Sequence, residues 1–406
     1  MRVLSFVYLG YMFVSIYFLS LFLLLFKKNR KNLFDYPKTN KKYNISVLVP
    51  AYNEEDTLED TIKSILDSDY PIKEVIIIND GSKDNTLNVA KRLMKKYPQL
   101  KVINKKNSGK GDSLNQGIKI AKGNLVAVVD ADSFPSKDSF GKMIGFFDEE
   151  KVGAVTCIFV PRNRNKFIEK LQVIEYNVIA FTRKLLDYVD AIYVTPGPLA
   201  LYRKSALVKI GGFDTKNMTE DIEATWNLAF HGFKRKMCLD SHATTKVPDN
   251  FKAWYRQRRR WNIGGLQCIS KYKRHLFSGD ILGLFIIPFF VMQLFLGLIG
   301  LSIFFYLTIT RFIKNYIFIG SSISLGTSVT LSDYYFTPSV LNYLGIVLFI
   351  AGILFTLAVL VIMKEQILKK QNTFNILFYL TFYLMIYPFI IITAIYHYFK
   401  GTRKWR

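Results

Sequence analysis

Apolar and polar positions divide the chain into three zones. Residues 3–26 carry no charge; a helix of that length, rising about 1.5 Å per residue, reaches roughly 36 Å and can cross a hydrocarbon core of about 30 Å. From residue 45 onward, short β-branched runs alternate with amphipathic stretches. Residues 45–50, 74–80, 101–104 and 125–130 read as strands, and 55–67, 84–97 and 113–121 as helices. That alternation predicts βαβ units and a mostly parallel sheet. Beyond residue 280 the runs 281–310, 334–363 and 373–396 contain no Asp, Glu, Lys or Arg, and each is long enough to span. The run 315–332 is also uncharged but rich in Ser, Gly and Thr. It is expected as an outer loop, a re-entrant segment or a further span, so the expected count is four or five.

Two basic amphipathic stretches join the zones. In 164–189, Phe167, Leu171, Ile174, Val178, Phe181, Leu185 and Val189 recur by threes and fours, with Lys166, Lys170, Arg183 and Lys184 between them. This is a helix that either packs on the sheet or lies on a membrane surface. In 250–267, Phe251, Trp254, Tyr255 and Arg258 share one helical face; the expectation is an interfacial helix, rings at the headgroups and arginines wet. Between them, Val194-Thr-Pro-Gly-Pro-Leu must turn, because two prolines flank a glycine. Gly211 to Asp214 is a further loop, and Met218-Thr-Glu-Asp opens a helix to about 231.

A net charge of +24 over 406 residues admits nucleic acid as a partner, but Lys and Arg recur beside the apolar runs, which favours a lipid bilayer and no nucleic acid. Lys27, Lys28, Arg30 and Lys31 follow the first run with no small-residue cleavage site, so it reads as a retained anchor rather than a signal peptide. The positive-inside rule puts that basic side in the cytoplasm. The expected product is a multi-pass cell-membrane protein with its soluble domain cytoplasmic. Cys157, Cys238 and Cys268 show no metal-like pairing and suit a reducing compartment and a structural role.

The predicted strands end in polar groups, Ala51-Tyr52-Asn53-Glu54, Asn79-Asp80 and Asp130-Ala131-Asp132; open parallel sheets collect ligands at this edge. Two carboxylates one residue apart on a turn can hold a hard divalent cation with diphosphate oxygens, or simply belong to a polar loop. Thr219-Glu220-Asp221 stands at a helix start, where Thr219 can cap and a carboxylate either gains from the helix dipole or accepts a proton. Lys110, between Gly109 and Gly111, lines a nucleotide pocket or a solvated loop. Gln257, Arg260 and Trp261 bring an amide, a planar cation suited to phosphate and a stacking surface within two turns; the alternative is a basic helix on acidic lipid.

In this order, Ala-Tyr-Asn-Glu-Glu, Asn-Asp-Gly-Ser, Asp-Ala-Asp, Gly-Pro-Leu, Thr-Glu-Asp and Gln-Arg-Arg-Arg-Trp resemble the membrane-embedded family-2 glycosyltransferases, from residue 45 to about 267. That group contains hyaluronan, cellulose and chitin synthases and the bacterial poly-N-acetylglucosamine synthases. The last are the most similar in Gly153-Ala-Val-Thr, Ile174-Glu-Tyr and 257–265, while Val194-Thr-Pro-Gly-Pro-Leu is closer to hyaluronan and chitin synthases. The resemblance implies an α/β GT-A domain and an inverting transfer of a sugar, expected as N-acetylglucosamine from UDP-GlcNAc, to a growing glycan. It implies that Ala51, Tyr52, Glu54, Asp80 and Lys110 bind the nucleotide sugar. Asp130 and Asp132 would meet diphosphate and Mg2+ or Mn2+, with Asp132 the main ligand. Asp221, beside Glu220, would be the general base; Gln257 and Arg260 would bind diphosphate and Trp261 the acceptor. The implied divisions are an anchor at 1–27, a basic linker at 28–43, the GT-A domain at 44–249, an amphipathic interface helix at 250–280, membrane helices at 281–399 and a basic tail at 400–406. The resemblance leaves open a lipid-linked acceptor, an accessory membrane subunit and a homo-oligomer. A dolichyl- or polyprenyl-phosphate sugar synthase ranks second, since that group is not expected to carry the Gln-x-x-Arg-Trp helix. A transporter would need ionisable residues inside its spans, and these runs lack them.

Overall fold

The computed structural model describes residues 2–325, 340–363 and 373–401. Helix α1 (Arg2–Asn29) leads into the sheet domain, where β1 (Ile45–Ala51), α2 (Leu58–Leu66), β2 (Ile72–Asp80), α3 (Thr86–Lys96), β3 (Leu100–Lys105), α4 (Lys110–Ile120) and β4 (Leu125–Val128) follow the alternation expected from the sequence. Next come β5 (Ser133–Pro135), α5 (Ser139–Ile144), β6 (Val152–Pro161), α6 (Phe167–Asp187), β7 (Ala200–Arg203), α7 (Lys204–Lys209), α8 (Glu220–Phe230) and β8 (Lys234–Thr245). The eight strands lie in the order β3-β2-β1-β4-β7-β6-β8-β5. Strands β1 to β4 pair in parallel, β7 runs antiparallel to both β4 and β6, and β8 is parallel to β6.

The two-residue period of β1 fixes what covers each face. Ile45, Val47 and Val49 pack with Ile62 and Ile65 of α2 and Leu93 of α3. Leu48, with Ile76 and Ile78 of β2, packs with Leu114 and Ile118 of α4 and Leu228 of α8. A one-residue slip would exchange the two sets, so burial locks the register and with it the level at which the strands end. Chain order sends β2 and β3 to one side of β1 and β4 to the other. The crevice at the carboxyl ends of β1 and β4 is therefore a topological switch point.

The membrane half consists of α1, α9 (Phe251–Tyr272), α10 (Ile287–Ser324), α11 (Val340–Ile362), α12 (Thr373–Phe378) and α13 (Tyr387–Phe399). Three stretches among the described residues are long and apolar enough to cross a membrane, Phe6–Asn29, Leu282–Ser324 and Thr373–Phe399, and α11 carries the shorter apolar stretch Ile346–Ile362. Residues 315–324, expected in a loop, a re-entrant segment or a separate span, instead prolong α10 without a break to 38 residues, because nothing in them stops a helix. The remainder of that run, residues 364–372 and most of the basic tail lie outside the described residues.

Helix α6 packs on the sheet, one of its two expected roles, and its other contacts are with apolar helices. Its Phe181 and Leu185 pack with Met237 and Leu239 of β8 and Val359 of α11, while Leu171 and Ile174 meet Trp254 of α9 and Tyr379 and Tyr383 of the last apolar stretch. The three cysteines are free and buried, in keeping with the structural role expected of them.

Candidate active site

After β1 the chain must reverse, and Asn53 does so at φ 55°, a conformation asparagine tolerates better than most residues. Its backbone N–H donates to Ser82 Oγ (3.0 Å), and its side-chain oxygen accepts from the Lys83 N–H (2.8 Å). The turn bearing Ala51, Tyr52 and Glu54 is thus pinned to the turn after β2. Glu54 Oε2 accepts from Thr57 Oγ1 at 2.8 Å. Asp80 pairs with Lys105 and accepts the backbone N–H groups of Ser108 and Gly109, both at 2.9 Å. This ties down the loop leading to Lys110.

Lys110 is no solvated loop residue. It opens α4 and ion-pairs Asp130 Oδ1 at 2.6 Å and Glu220 Oε1 at 2.9 Å. Burial alone would lower its basicity, but Asp130, Glu220 and Asp221 together raise it, so the ammonium persists. The Gly-Pro-Leu turn supplies the opposing wall. A Cβ on Gly197 would stand 2.7 Å from both Asp130 carboxylate oxygens and would collide with the Lys110 ammonium. Only glycine lets the backbone approach this pair.

The remaining carboxyls are driven apart. For Glu220, Lys110 and Arg260 overcome the effect of burial and hold it below the usual carboxylate range. Asp221 is pushed up to about 6 by burial and by its neighbour Glu220, against Lys110 and Arg260. Asp132 is pushed up to about 7 by burial, Asp130 and Glu54. Thr219 does not cap α8 with its side chain, contrary to expectation; its hydroxyl turns to Asn217 Oδ1 at 3.3 Å. Gly264 of α9 lies so close that a Cβ there would overlap the Thr219 side chain, and α9 therefore rides directly on the start of α8.

Two residues of α9 do not lie as expected. Trp254 and Arg258 are fully buried, because α9 packs against α8 and α13, whereas Phe251 of the same face is 52% exposed. Arg258 donates from Nε to Glu175 Oε1 at 3.0 Å and from Nη2 to Oε2. Tyr383, at 2.6 Å, and Tyr387 donate to the same carboxylate. Arg258 also donates to Gln257 Oε1 and lies 4.2 Å from the Trp261 ring centre. Arg258 and Glu175 thereby orient two of the expected ligand-binding side chains. Neither was singled out as a site residue, since each is a charged residue on a basic amphipathic helix and reads as surface.

A single cavity of about 1090 Å³ brings together Lys110, Asp130, Asp132, Glu220, Asp221, Gln257, Arg260 and Trp261. Ala51, Tyr52, Glu54 and Asp80 stand outside it at the adjoining strand ends, with Glu54 close enough to act on Asp132. The cavity continues between the apolar helices past Gln293, Gly297, Gly300 and Pro388. Its volume lies just above the roughly 300–1,000 Å³ usual for a small-molecule site. Tyr176, Arg183 and Tyr193 also line it; their chemistry was hidden in segments that read as helix face and turn.

Residues 46–211 match the family described as Glycosyl transferase family 2. A poly-β-1,6-N-acetyl-D-glucosamine synthase of Staphylococcus epidermidis (strain ATCC 35984) is 30% identical over 407 residues, spanning 97% of this chain and 94% of the relative. The synthase of the same name from Staphylococcus aureus (strain MSSA476) is 34% identical over 265 residues, and that match spans 64% of the relative's length. A solved structure of a mannosyltransferase from Pyrobaculum calidifontis, in complex with GDP-Man and Mn2+, is similar with a TM-score of 0.60 at 17% identity, over 98% of this chain and 99% of that one. At that identity the likeness is one of fold, a GT-A-like domain with apolar helices. The chain belongs to the family-2 glycosyltransferases.

Proposed function

We propose that the protein is an inverting membrane glycosyltransferase that extends a polysaccharide with N-acetylglucosamine from UDP-GlcNAc, with its sheet domain in the cytoplasm. The observation that carries this reading is the joining of Asp221, Asp130 and Asp132 with Trp261 and the spanning helices in one cavity, large enough for a donor and the end of a chain. The relatives named as poly-β-1,6-N-acetyl-D-glucosamine synthases favour that sugar. The basic cluster after α1 favours a cytoplasmic catalytic face.

Asp221 is suited to general-base work, since a carboxyl raised to about 6 is still largely ionised at neutral pH yet basic enough to take a proton. It would accept the proton of an acceptor hydroxyl as that oxygen bonds to the anomeric carbon from the face opposite UDP. The bond from the anomeric carbon to the phosphate oxygen breaks, and UDP departs with the electron pair. Lys110, Gln257 and Arg260 would steady the diphosphate, and Trp261 would carry the acceptor ring. Ala51, Tyr52, Glu54 and Asp80 would shape the nucleoside end.

The carboxylates also suit a divalent cation. Among the described residues no three His, Cys, Asp or Glu side chains converge as a closed metal site, but Asp132 is a half-buried hard-oxygen donor beside two further anions. Asp132 and Asp130 would hold Mg2+ or Mn2+ with diphosphate oxygens, and the ion would supply positive charge to the leaving group. Membranes carrying the protein, given labelled UDP-GlcNAc, should yield polymer. A lipid-phosphate sugar as the only labelled product would instead establish the polyprenyl-phosphate synthase reading, and the absence of any product would reject both.

A further inference from the structure

We infer that Arg183 anchors an acceptor subsite, its guanidinium donating to oxygens of a sugar unit behind the one that attacks. The inference rests on the proposed transfer to a glycan. Arg183 is 5% exposed and lines the cavity. Tyr176, Ile179, Ala180 and Arg183 follow one another at helical spacing and all line the cavity, so one face of α6 forms this wall. Among the described residues Arg183 makes no ion pair or hydrogen bond, and its Nε is buried without a partner. Its guanidinium lies 5.8 Å from the centre of the Phe159 ring.

A buried cation without a matched anion is costly, and burial accordingly weakens the charged form here. Its neighbours, Tyr193 first and Asp221 among them, offset this only in part. A ligand that brings oxygens to the guanidinium would satisfy it. Its planar fork of five N–H donors matches a pair of adjacent hydroxyls or a hydroxyl with an amide carbonyl. The surroundings favour a sugar over a phosphate. Tyr176, Tyr193 and Phe159 offer ring faces and phenol groups beside Arg183, whereas the cations set against the carboxylates, Lys110 and Arg260, belong to α4 and α9.

The test uses detergent-purified full-length protein and its Arg183→Met and Arg183→Lys variants. Calorimetry measures binding of a β-1,6-linked N-acetylglucosamine pentamer without donor, and kinetics give KM for pentamer and for UDP-GlcNAc separately. Loss of a charged hydrogen-bond donor typically weakens binding about ten- to a hundredfold. Arg183→Met should show that loss for the pentamer, Arg183→Lys a smaller one, and the donor KM should hold. Equal pentamer affinity in all three proteins overturns the inference, as does a rise in donor KM with the pentamer KM unchanged, which would make Arg183 a diphosphate ligand. If Arg183→Met does not fold, Arg183→Lys decides, since an ammonium cannot reproduce the fork; wild-type affinity in that variant is then the overturning result. A wild type that neither binds nor extends the pentamer overturns the proposed function, and the inference with it.

Discussion

Asp221 and Glu220 are adjacent in sequence and face the same lysine, yet their carboxyls shift in opposite directions. Glu220 ion-pairs Lys110 at 2.9 Å; among the described residues Asp221 has no such pair, and it bears the charge of Glu220 beside it. The sign of the pH effect follows. A general base works only when deprotonated, so kcat should be lost as pH falls through about 6 and should level off above it. Asp221→Asn should lower kcat by about a hundred- to ten-thousandfold with donor affinity kept; a kcat flat from pH 5 to 8 would show that Asp221 does not act as the base. Asp132 calls for a separate measurement. Asp132→Asn should abolish the dependence on Mg2+ or Mn2+ along with transfer, and full turnover of the unaltered enzyme in excess chelator would dismiss a metal role. Both aspartates were legible in the sequence because they end strands or open helices, where orientation follows from the element. Arg183 was not, because its meaning depends on which neighbours it lacks.

At the scale of elements, α9 shows where a helical wheel fails. The wheel places Phe251, Trp254, Tyr255 and Arg258 on one face, but Trp254 and Arg258 are buried within protein while Phe251 stays exposed. Tyr255 bonds Thr393 Oγ1 at 2.8 Å, and Arg259 lies 3.0 Å from His397 Nε2. The missing information was the partner, α13, which lies more than a hundred residues further along the chain and leaves no mark on α9 itself. The Glu175–Arg258 pair, with side chains 3% and 0% exposed, joins α6, α9 and the last apolar stretch. Removing one member of such a pair strands the other and typically costs about 3–5 kcal/mol. Glu175→Gln should therefore lower the unfolding temperature markedly and weaken transfer, since Gln257 and Trp261 are both held by Arg258. Adding Arg258→Met should recover stability but not transfer. A double variant no more stable than Glu175→Gln would mean that the pair is not the junction's main tie.

At the scale of the molecule, the parallel half of the sheet was legible because its strands alternate with amphipathic helices. Strands β5 to β8 were not, since their pairing partners are distant in sequence and β7 inserts antiparallel between β4 and β6. The apolar runs announced helices that can span, yet composition alone gave no sign that they continue the catalytic cavity. Gly297 and Gly300 line that continuation on α10 and stand three residues apart, where missing side chains leave space. A Cβ on Gly297 would already be 3.1 Å from Ile391 Cδ1, and one on Gly300 3.3 Å from the Tyr11 hydroxyl. If a growing chain occupies this space, larger side chains there should obstruct it while leaving Asp221 and the donor groups in place. Gly297→Leu should thus still turn over UDP-GlcNAc but release shorter products, read as a shift in polymer length on a sizing column. Gly320→Leu, on the same helix with nothing within 4 Å of its Cβ and outside the cavity, should leave the length distribution alone. Wild-type polymer length in both variants would mean that the product leaves by another route; equal shortening in both would point to disturbance of α10 rather than obstruction of the cavity.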